Sequence, residues 1–294
     1  MNIPKYWAKR EASIEDVNGK EFSFSCWQWS NSSASEAFQR ADTRLNELAQ
    51  KAALGARLNR YSYGDRAMRE ETTQSITNSD LREVAVVTRN AYGALVLNTA
   101  NAMFIDIDFP EKKEAAPSVG GGLLRLFGGK PKTPPPAAPT LSPEDIGVQA
   151  VTAWAAQNPR VGLRVYRTFG GLRCLITNAL CDPTASDTLS VLQSLNSDPL
   201  YIRLCRQQQC FRARLTPKHW RCGVRPPPSR WPWSNPKEEA RYRQWQRGYE
   251  ATSAGFATCR LVKVIGPGEI HPDIAPILAL HDQLACPGTQ WPLA

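Results

Sequence analysis

The sequence predicts an α+β protein with mainly antiparallel sheets, and three observations carry that prediction. Short apolar runs of strand length, split by turn residues, occur between 83 and 109 and again between 161 and 177. Runs of that kind form hairpins and meanders. Helical stripes opened by Ser, Pro or Asp fall between and after them. A Pro/Gly-rich stretch over 111–142 interrupts the whole pattern. The 294 residues suffice for one large domain or two small ones with a core that needs no staples. A hydrophobic content of 42% argues against wholesale disorder.

Taken in order, Asn18-Gly19 is a turn signal, and Phe22, Phe24 and Cys26 alternate with polar residues as a strand does. Ser33-Ala34-Ser35-Glu36 is a capping box, and Ala37, Ala41, Leu45, Leu48 and Ala52 follow at helical spacing. Residues 55–80 are polar and poorly periodic, which predicts a long loop with some helix. Val84, Val86 and Val87, then Leu95 to Leu97, then Met103 to Phe109 predict a three-stranded meander, with Asn90-Ala91-Tyr92-Gly93 as its first turn.

Residues 111–142 hold three Gly-Gly pairs or triplets' worth of glycine, Lys112-Lys113 and Pro134-Pro135-Pro136. Such a composition buries too little apolar surface to offset ordering entropy and predicts a disordered insert. Its small island Leu123–Phe127 reads as a lightly hydrophobic linker, or as a docking segment for a protein partner or a membrane surface. Gly129-Lys130 is not a P-loop, because Leu124 replaces the first glycine and Pro131 the Ser/Thr.

Ser142 then caps a helix with Pro143 at its first position, and Ile146, Ala150, Ala153 and Trp154 are its expected buried stripe. A hairpin follows: Val161, Leu163 and Val165 alternate outward and inward, Gly170-Gly171 turns, and Leu172 to Thr177 returns. Helices are expected after Asp182-Pro183 and Asp198-Pro199, a strand at Phe211–Leu215, an irregular Pro/Trp stretch at 223–236, a basic helix over 238–251, a strand over 258–265 and a last helix over 273–285. The segments group as an N-terminal α/β segment (1–82), a core (83–110 and 143–265), the insert (111–142) and a C-terminal helical segment (266–294).

Charge and cysteine usage bound the function. Residues 201–250 contain twelve Lys/Arg against three Glu, an excess equal to the net +9 of the whole chain. Clustered positive charge draws phosphates or acidic partners; a solvated basic face is the plainer alternative. The N-terminus lacks an apolar signal core, no run approaches a bilayer span, and eight scattered cysteines do not form a disulfide framework. The expectation is a cytoplasmic protein, with no membrane partner and with reduced thiols.

Four constellations can carry chemistry. On a strand, Asp106 and Asp108 of Phe104-Ile105-Asp106-Ile107-Asp108-Phe109 share one face while the isoleucines face the core. Two adjacent carboxylates repel unless cations lie between them, so the pair is a candidate metal and catalytic centre for Mg²⁺ or Mn²⁺; two aspartates held by arginines are the alternative. The turn of Thr168-Phe169-Gly170-Gly171-Leu172-Arg173 exposes backbone N–H groups that can hold an anion, with Thr168 and Arg173 beside them; an ordinary hairpin explains it equally. Arg212, Arg214 and Lys218, with Arg221 nearby, can neutralise phosphates or pair with the aspartates. Trp220, Trp231, Trp233 and Trp245 lie among these arginines and suit base stacking or simple packing. Cys205, Cys210, His219 and Cys222 lack a zinc-knuckle spacing, so zinc is not expected.

Phe104 to Asp108 and, later, Thr168 to Arg173 resemble, in this order, two motifs of the archaeo-eukaryotic primase superfamily, especially its bacterial primase-polymerase branch. That family has an Asp-x-Asp/Glu strand, then a Thr/Ser-x-x-Gly-x-His hairpin, then a further acidic ligand. The resemblance covers roughly a third of the chain. It implies an RRM-like antiparallel sheet, two divalent metals on Asp106 and Asp108, and nucleotide contacts at Thr168, Gly170, Gly171 and Arg173, with nucleic acid or nucleotides as partners. Arg173 stands where the family has histidine, and Asp182, Asp187 and Asp198 are the candidates for the third acid, two of them reading as helix caps. Two alternatives stand beside nucleotidyl transfer: a relative that binds nucleic acid or protein without turnover, and a nucleotide-sugar transferase, which also uses Asp-x-Asp.

Overall fold

The structure, a computed structural model, describes residues 1–15, 21–54, 67–110 and 141–294, the side chain of Phe22 apart. The Asn18-Gly19 turn, residues 55–66 of the expected loop, and all but the last two residues of the expected insert lie outside these. The elements are β1 (Tyr6–Glu15), β2 (Glu21–Ser30), α1 (Ala34–Ala53), β3 (Glu71–Thr77), β4 (Glu83–Arg89), β5 (Leu95–Thr99), β6 (Phe104–Asp108), α2 (Pro143–Gln157), β7 (Leu163–Thr168), β8 (Gly171–Ile176), α3 (Ser186–Ser194), α4 (Pro199–Gln208), β9 (Phe211–Arg214), α5 (Pro236–Ser253), β10 (Cys259–Ile265) and α6 (Ala275–Ala285). A 3₁₀ turn, His219–Cys222, follows β9. The α+β class is as the sequence predicts: helices pack on antiparallel sheets of order β1-β2, β3-β4-β5-β9 and β10-β7-β8-β6.

The N-terminal unit sets β1 and β2 against α1. Ser33 Oγ accepts the Glu36 amide at 3.1 Å, as a capping residue does. The return half of the box runs through Ser30, whose hydroxyl donates to Glu36 at 2.5 Å and accepts from Ser33 N. β1 is not foreseen from the sequence, because Ala8 alone among its residues is buried and no apolar alternation marks it. Much the same holds for β3. It lies in the stretch expected as loop, and only Ile76 turns inward. β3 pairs with β4, so it belongs with the core sheet and not with the N-terminal segment.

The expected meander of β4, β5 and β6 is corrected at its third strand. β4 and β5 do form the hairpin around Asn90–Gly93, with Asn90 Oδ1 accepting from Tyr92 N and Ala94 N. After β5 the Thr99 hydroxyl bonds the Ala102 carbonyl at 2.6 Å and the chain crosses to the other sheet. There β6 pairs with β8, while β9 takes the place beside β5.

α2 starts as expected, with a full capping box between Ser142 and Asp145. Its buried stripe is Val151 and Ala155, with Val148 and Trp154 partly covered; Ile146, Ala150 and Ala153 face outward, which corrects the expected stripe. The rotation is set by Gly147. A Cβ there would lie 2.9 Å from Leu172 Cδ1, so the helix approaches β8 through its glycine and turns Ile146 away.

The two four-stranded sheets share one core. Two polar links join them at the site. The Tyr201 hydroxyl donates to Phe104 O of β6 at 2.9 Å and accepts from Arg212 N of β9 at 3.4 Å. Arg173 of β8 donates to Arg214 O of β9 at 2.9 Å. A buried carbonyl left unpaired costs more than a made bond gains, so these links fix β9 against β6. No helix among the described residues is long and apolar enough to cross a membrane, and all eight cysteines are free thiols.

Candidate functional site

Asp106 and Asp108 lie on β6, with Phe104, Ile105 and Ile107 buried around them. Their strand is the edge of its sheet and not a central one. The edge is closed: Ser197 Oγ and Asp198 N both donate to Asp106 O, at 2.8 and 2.9 Å. Asp106 is half-buried and Asp108 exposed.

The register puts Asp106 opposite Arg173 and Asp108 opposite Gly171. The glycine turn therefore sits beside Asp108. Gly171 is required there, since an added Cβ would fall on the Ile107 carbonyl oxygen and within 2.9 Å of Asp108 Cα. Gly170 lies between the two charges of the site: a Cβ on it would be 3.9 Å from both Asp108 Oδ1 and Arg221 Nη2. Its carbonyl accepts from Phe109 N, which pins the turn to the end of β6.

A second wall comes from β9 and the 3₁₀ turn. The Tyr249 hydroxyl donates to Pro217 O at 2.6 Å and accepts from Thr216, which itself accepts Leu95 N. His219 Nδ1 donates to Val224 O and Gly223 closes the turn at φ +73°. This fixed path brings Arg214, Lys218 and Arg221 to face the aspartates.

The electrostatics record that arrangement. Asp108 has its pKa raised, first by burial against its neighbours, then by the charges of Asp106 and Asp198, with Lys218 and Arg221 opposing the rise. Arg214 is pushed down to about 10, by burial and then by Arg173 and Arg221. Lys218 is lowered by burial and then by Arg214 and Arg221, and Arg221 by burial. Three crowded cations and two crowded carboxylates thus feel one another. Yet among the described residues no ion pair or hydrogen bond closes between them: the side chains of Asp106, Asp108, Arg214, Lys218 and Arg221 make no contact within salt-bridge distance. Arg214 Nε is also buried with no hydrogen-bond partner. The alternative of aspartates clamped by arginines is not what the geometry shows.

Comparison with models of known families, with curated proteins and with solved structures returned no match to this chain.

Other expected site residues are used elsewhere. Thr168 Oγ1 accepts Gly171 N at 3.0 Å and shapes the turn. Arg173 is only 5% exposed and points into the core, where it meets Arg214 O and His281 Nε2 at 3.2 Å. Because arginine can only donate, His281 Nε2 accepts and its Nδ1 carries the proton, which it donates to Asp282 at 3.0 Å. Burial lowers that histidine to about 4, so the ring is neutral. Arg212 is turned away from the aspartates and grips both oxygens of Glu70, at 2.8 and 2.6 Å. Asp198 caps α4 through Leu200 N and Tyr201 N, Asp182 accepts from Thr184, and Asp187 lies in the first turn of α3.

The tryptophans divide. Trp245 stacks on Tyr249 at 5.2 Å and packs under Gly93, and Trp233 packs on Tyr242 and Arg243. Trp220 is exposed beside the site. Phe169, at the tip of the glycine turn, is exposed as well and carries Arg221 at 4.2 Å over its ring. Sequence reasoning weighed Phe169 only as a spacer. The signal for it was a large apolar residue beside Gly-Gly, a place where burial is hard to arrange.

Among the described residues no three His, Cys, Asp or Glu side chains gather to hold a metal. Two carboxylates alone nevertheless suit Mg²⁺, which is commonly bound by one or two carboxylates and completed by substrate phosphates and water. Asp106 and Asp108, facing cations that would hold those phosphates, fit that donor set.

Proposed function

We propose that this protein binds a nucleotide through its phosphates, with a divalent cation on Asp106 and Asp108, and carries out nucleotidyl transfer of the primase-polymerase kind. One observation supports it above the others: two carboxylates and three cations face each other without pairing. A gap of that charge pattern suits a metal–phosphate group, which is positive toward the aspartates and negative toward the basic wall. Lys218 and Arg221 would hold the outer phosphates, Arg214 the inner face, and the Gly170–Gly171 turn would give the ligand close access to backbone. A bound Mg²⁺ or Mn²⁺ would supply charge neutralisation at the reacting phosphate and orientation of the attacking oxygen. In the reaction a primer hydroxyl oxygen bonds the α-phosphorus, its proton passes to water, and pyrophosphate leaves.

A second reading, binding without turnover, draws on Arg173. The residue at the family's histidine position is buried in the core and does not reach the site. The test is incorporation of labelled nucleotide into a primed template with Mg²⁺ or Mn²⁺. Activity lost in Asp106→Asn and Asp108→Asn supports transfer. Metal-dependent nucleotide binding with no incorporation in the wild-type chain selects the second reading, and incorporation unaffected by both substitutions rejects the site.

A further inference from the structure

Three loops meet at the rim of the aspartate site and each presents a ring to solvent. Phe169 of the β7–β8 turn is 53% exposed, Trp220 of the 3₁₀ turn 49%, and Tyr92 of the β4–β5 turn 38%. Exposed large aromatics are uncommon enough singly that three at one rim call for a reason. They are ordered by cations and by each other. Arg221 lies 4.2 Å over Phe169, Lys218 5.3 Å from the Trp220 ring, and Tyr92 meets Trp220 edge-on at 5.1 Å. Trp220 is also held edge-on by His219 at 4.9 Å. The rings are therefore fixed in place without being buried.

We propose that this rim binds an unpaired nucleic-acid strand, with bases stacking on Trp220 and Phe169 and the backbone phosphates lying on Lys218 and Arg221. Every base has a flat π face, and fixed aromatic rings beside cations are what sequence-tolerant single-strand sites require. A duplex hides its base faces and cannot use the rings. The chemistry is shared by DNA and RNA strands. The proposal deepens the nucleotide-site reading by naming a strand as the second ligand, but it rests on the rings and cations and not on the aspartates.

The test uses the full chain and a labelled oligothymidylate, read by fluorescence anisotropy in EDTA, with oligouridylate and a duplex of equal length as further arms. Binding of both single strands and weak binding of the duplex are expected. Trp220→Ala and Phe169→Ala should each weaken it about 10-fold, in line with the stacking value of an aromatic side chain, while Trp220→Phe restores most of it. Lys218→Ala should flatten the salt dependence by about 0.7 in the log–log slope. Asp106→Asn should leave strand binding intact while removing metal-dependent nucleotide binding, so that loss of one activity is separable from loss of the other. Duplex bound as tightly as single strand, or single-strand binding indifferent to both alanine substitutions, overturns the proposal.

Discussion

Replacing Arg212 by Met separates a structural arginine from a ligand-binding one. In the structure its guanidinium holds both oxygens of Glu70, and Glu70 also accepts the Thr88 hydroxyl at 2.5 Å. Thr88 in turn accepts from Asn98 at 2.9 Å. The network ties β9 to β4, β5 and the segment before β3. The two ionic side chains are 17% and 11% exposed, so water screens the pair little. Removing one partner of such a pair costs about 3–5 kcal/mol, because the other charge is left uncompensated; the residual exposure places Arg212→Met near the lower end. For a domain of this size about 3 kcal/mol lowers Tm by roughly 6–12 °C. Circular dichroism on heating and in urea measures it. The double variant Arg212→Met/Glu70→Met should recover much of the loss, since an apolar pair replaces the ionic one. A variant with wild-type Tm and weakened nucleotide binding would refute this assignment and restore Arg212 to the site.

Gly171→Ala should destabilise the chain by about 1–3 kcal/mol through overpacking against Ile107 O and should weaken metal binding as β6 is displaced, seen by urea titration and metal titration together. Metal affinity should fall on acidification at a pH above the ordinary carboxylate range, because Asp108 has a raised pKa and only its ionised form binds; Lys218→Met, which removes a charge that holds this pKa down, should move the fall to still higher pH. Asp108→Asn should be more stable than wild type at neutral pH, since a carboxyl whose folded pKa is raised opposes folding where it is ionised. His281, lowered to about 4 in the folded state, takes up its proton more readily when unfolded; stability should therefore decline between pH ~6.5 and ~4 by up to about 3 kcal/mol, and His281→Gln, which can keep both hydrogen bonds, should remove that slope in pH-resolved denaturation.

How far the fold could be read in advance depended on burial. α2, α4, the β7–β8 hairpin and β9 announce themselves because caps and alternation match one buried face. β1 and β3 do not, because an edge or surface strand with one inward residue leaves no period to detect. The crossing of β6 to the second sheet was hidden too, since local spacing is the same whether a third strand continues a meander or leaves it. For the site, Asp106, Asp108, Gly170, Gly171, Arg214 and Lys218 could be found from spacing on strands and turns. Arg173 and Arg212 were misplaced for a reason that spacing cannot reveal. An arginine on a strand is equally suited to a phosphate, to Glu70 or to a carbonyl across the core, and only the packing of β9 on β6 and β8 decides.

The central claim is that Asp106 and Asp108 share a cation with a phosphate ligand held by Lys218 and Arg221. Titration of Mn²⁺ followed by electron paramagnetic resonance, with and without a non-hydrolysable nucleoside triphosphate, addresses it. Weak binding that tightens when the triphosphate is present, and that disappears in Asp106→Asn, is predicted after the affinity of Mn²⁺ for the free triphosphate is subtracted. Affinity that ignores the triphosphate, or that survives Asp106→Asn unchanged, would contradict it.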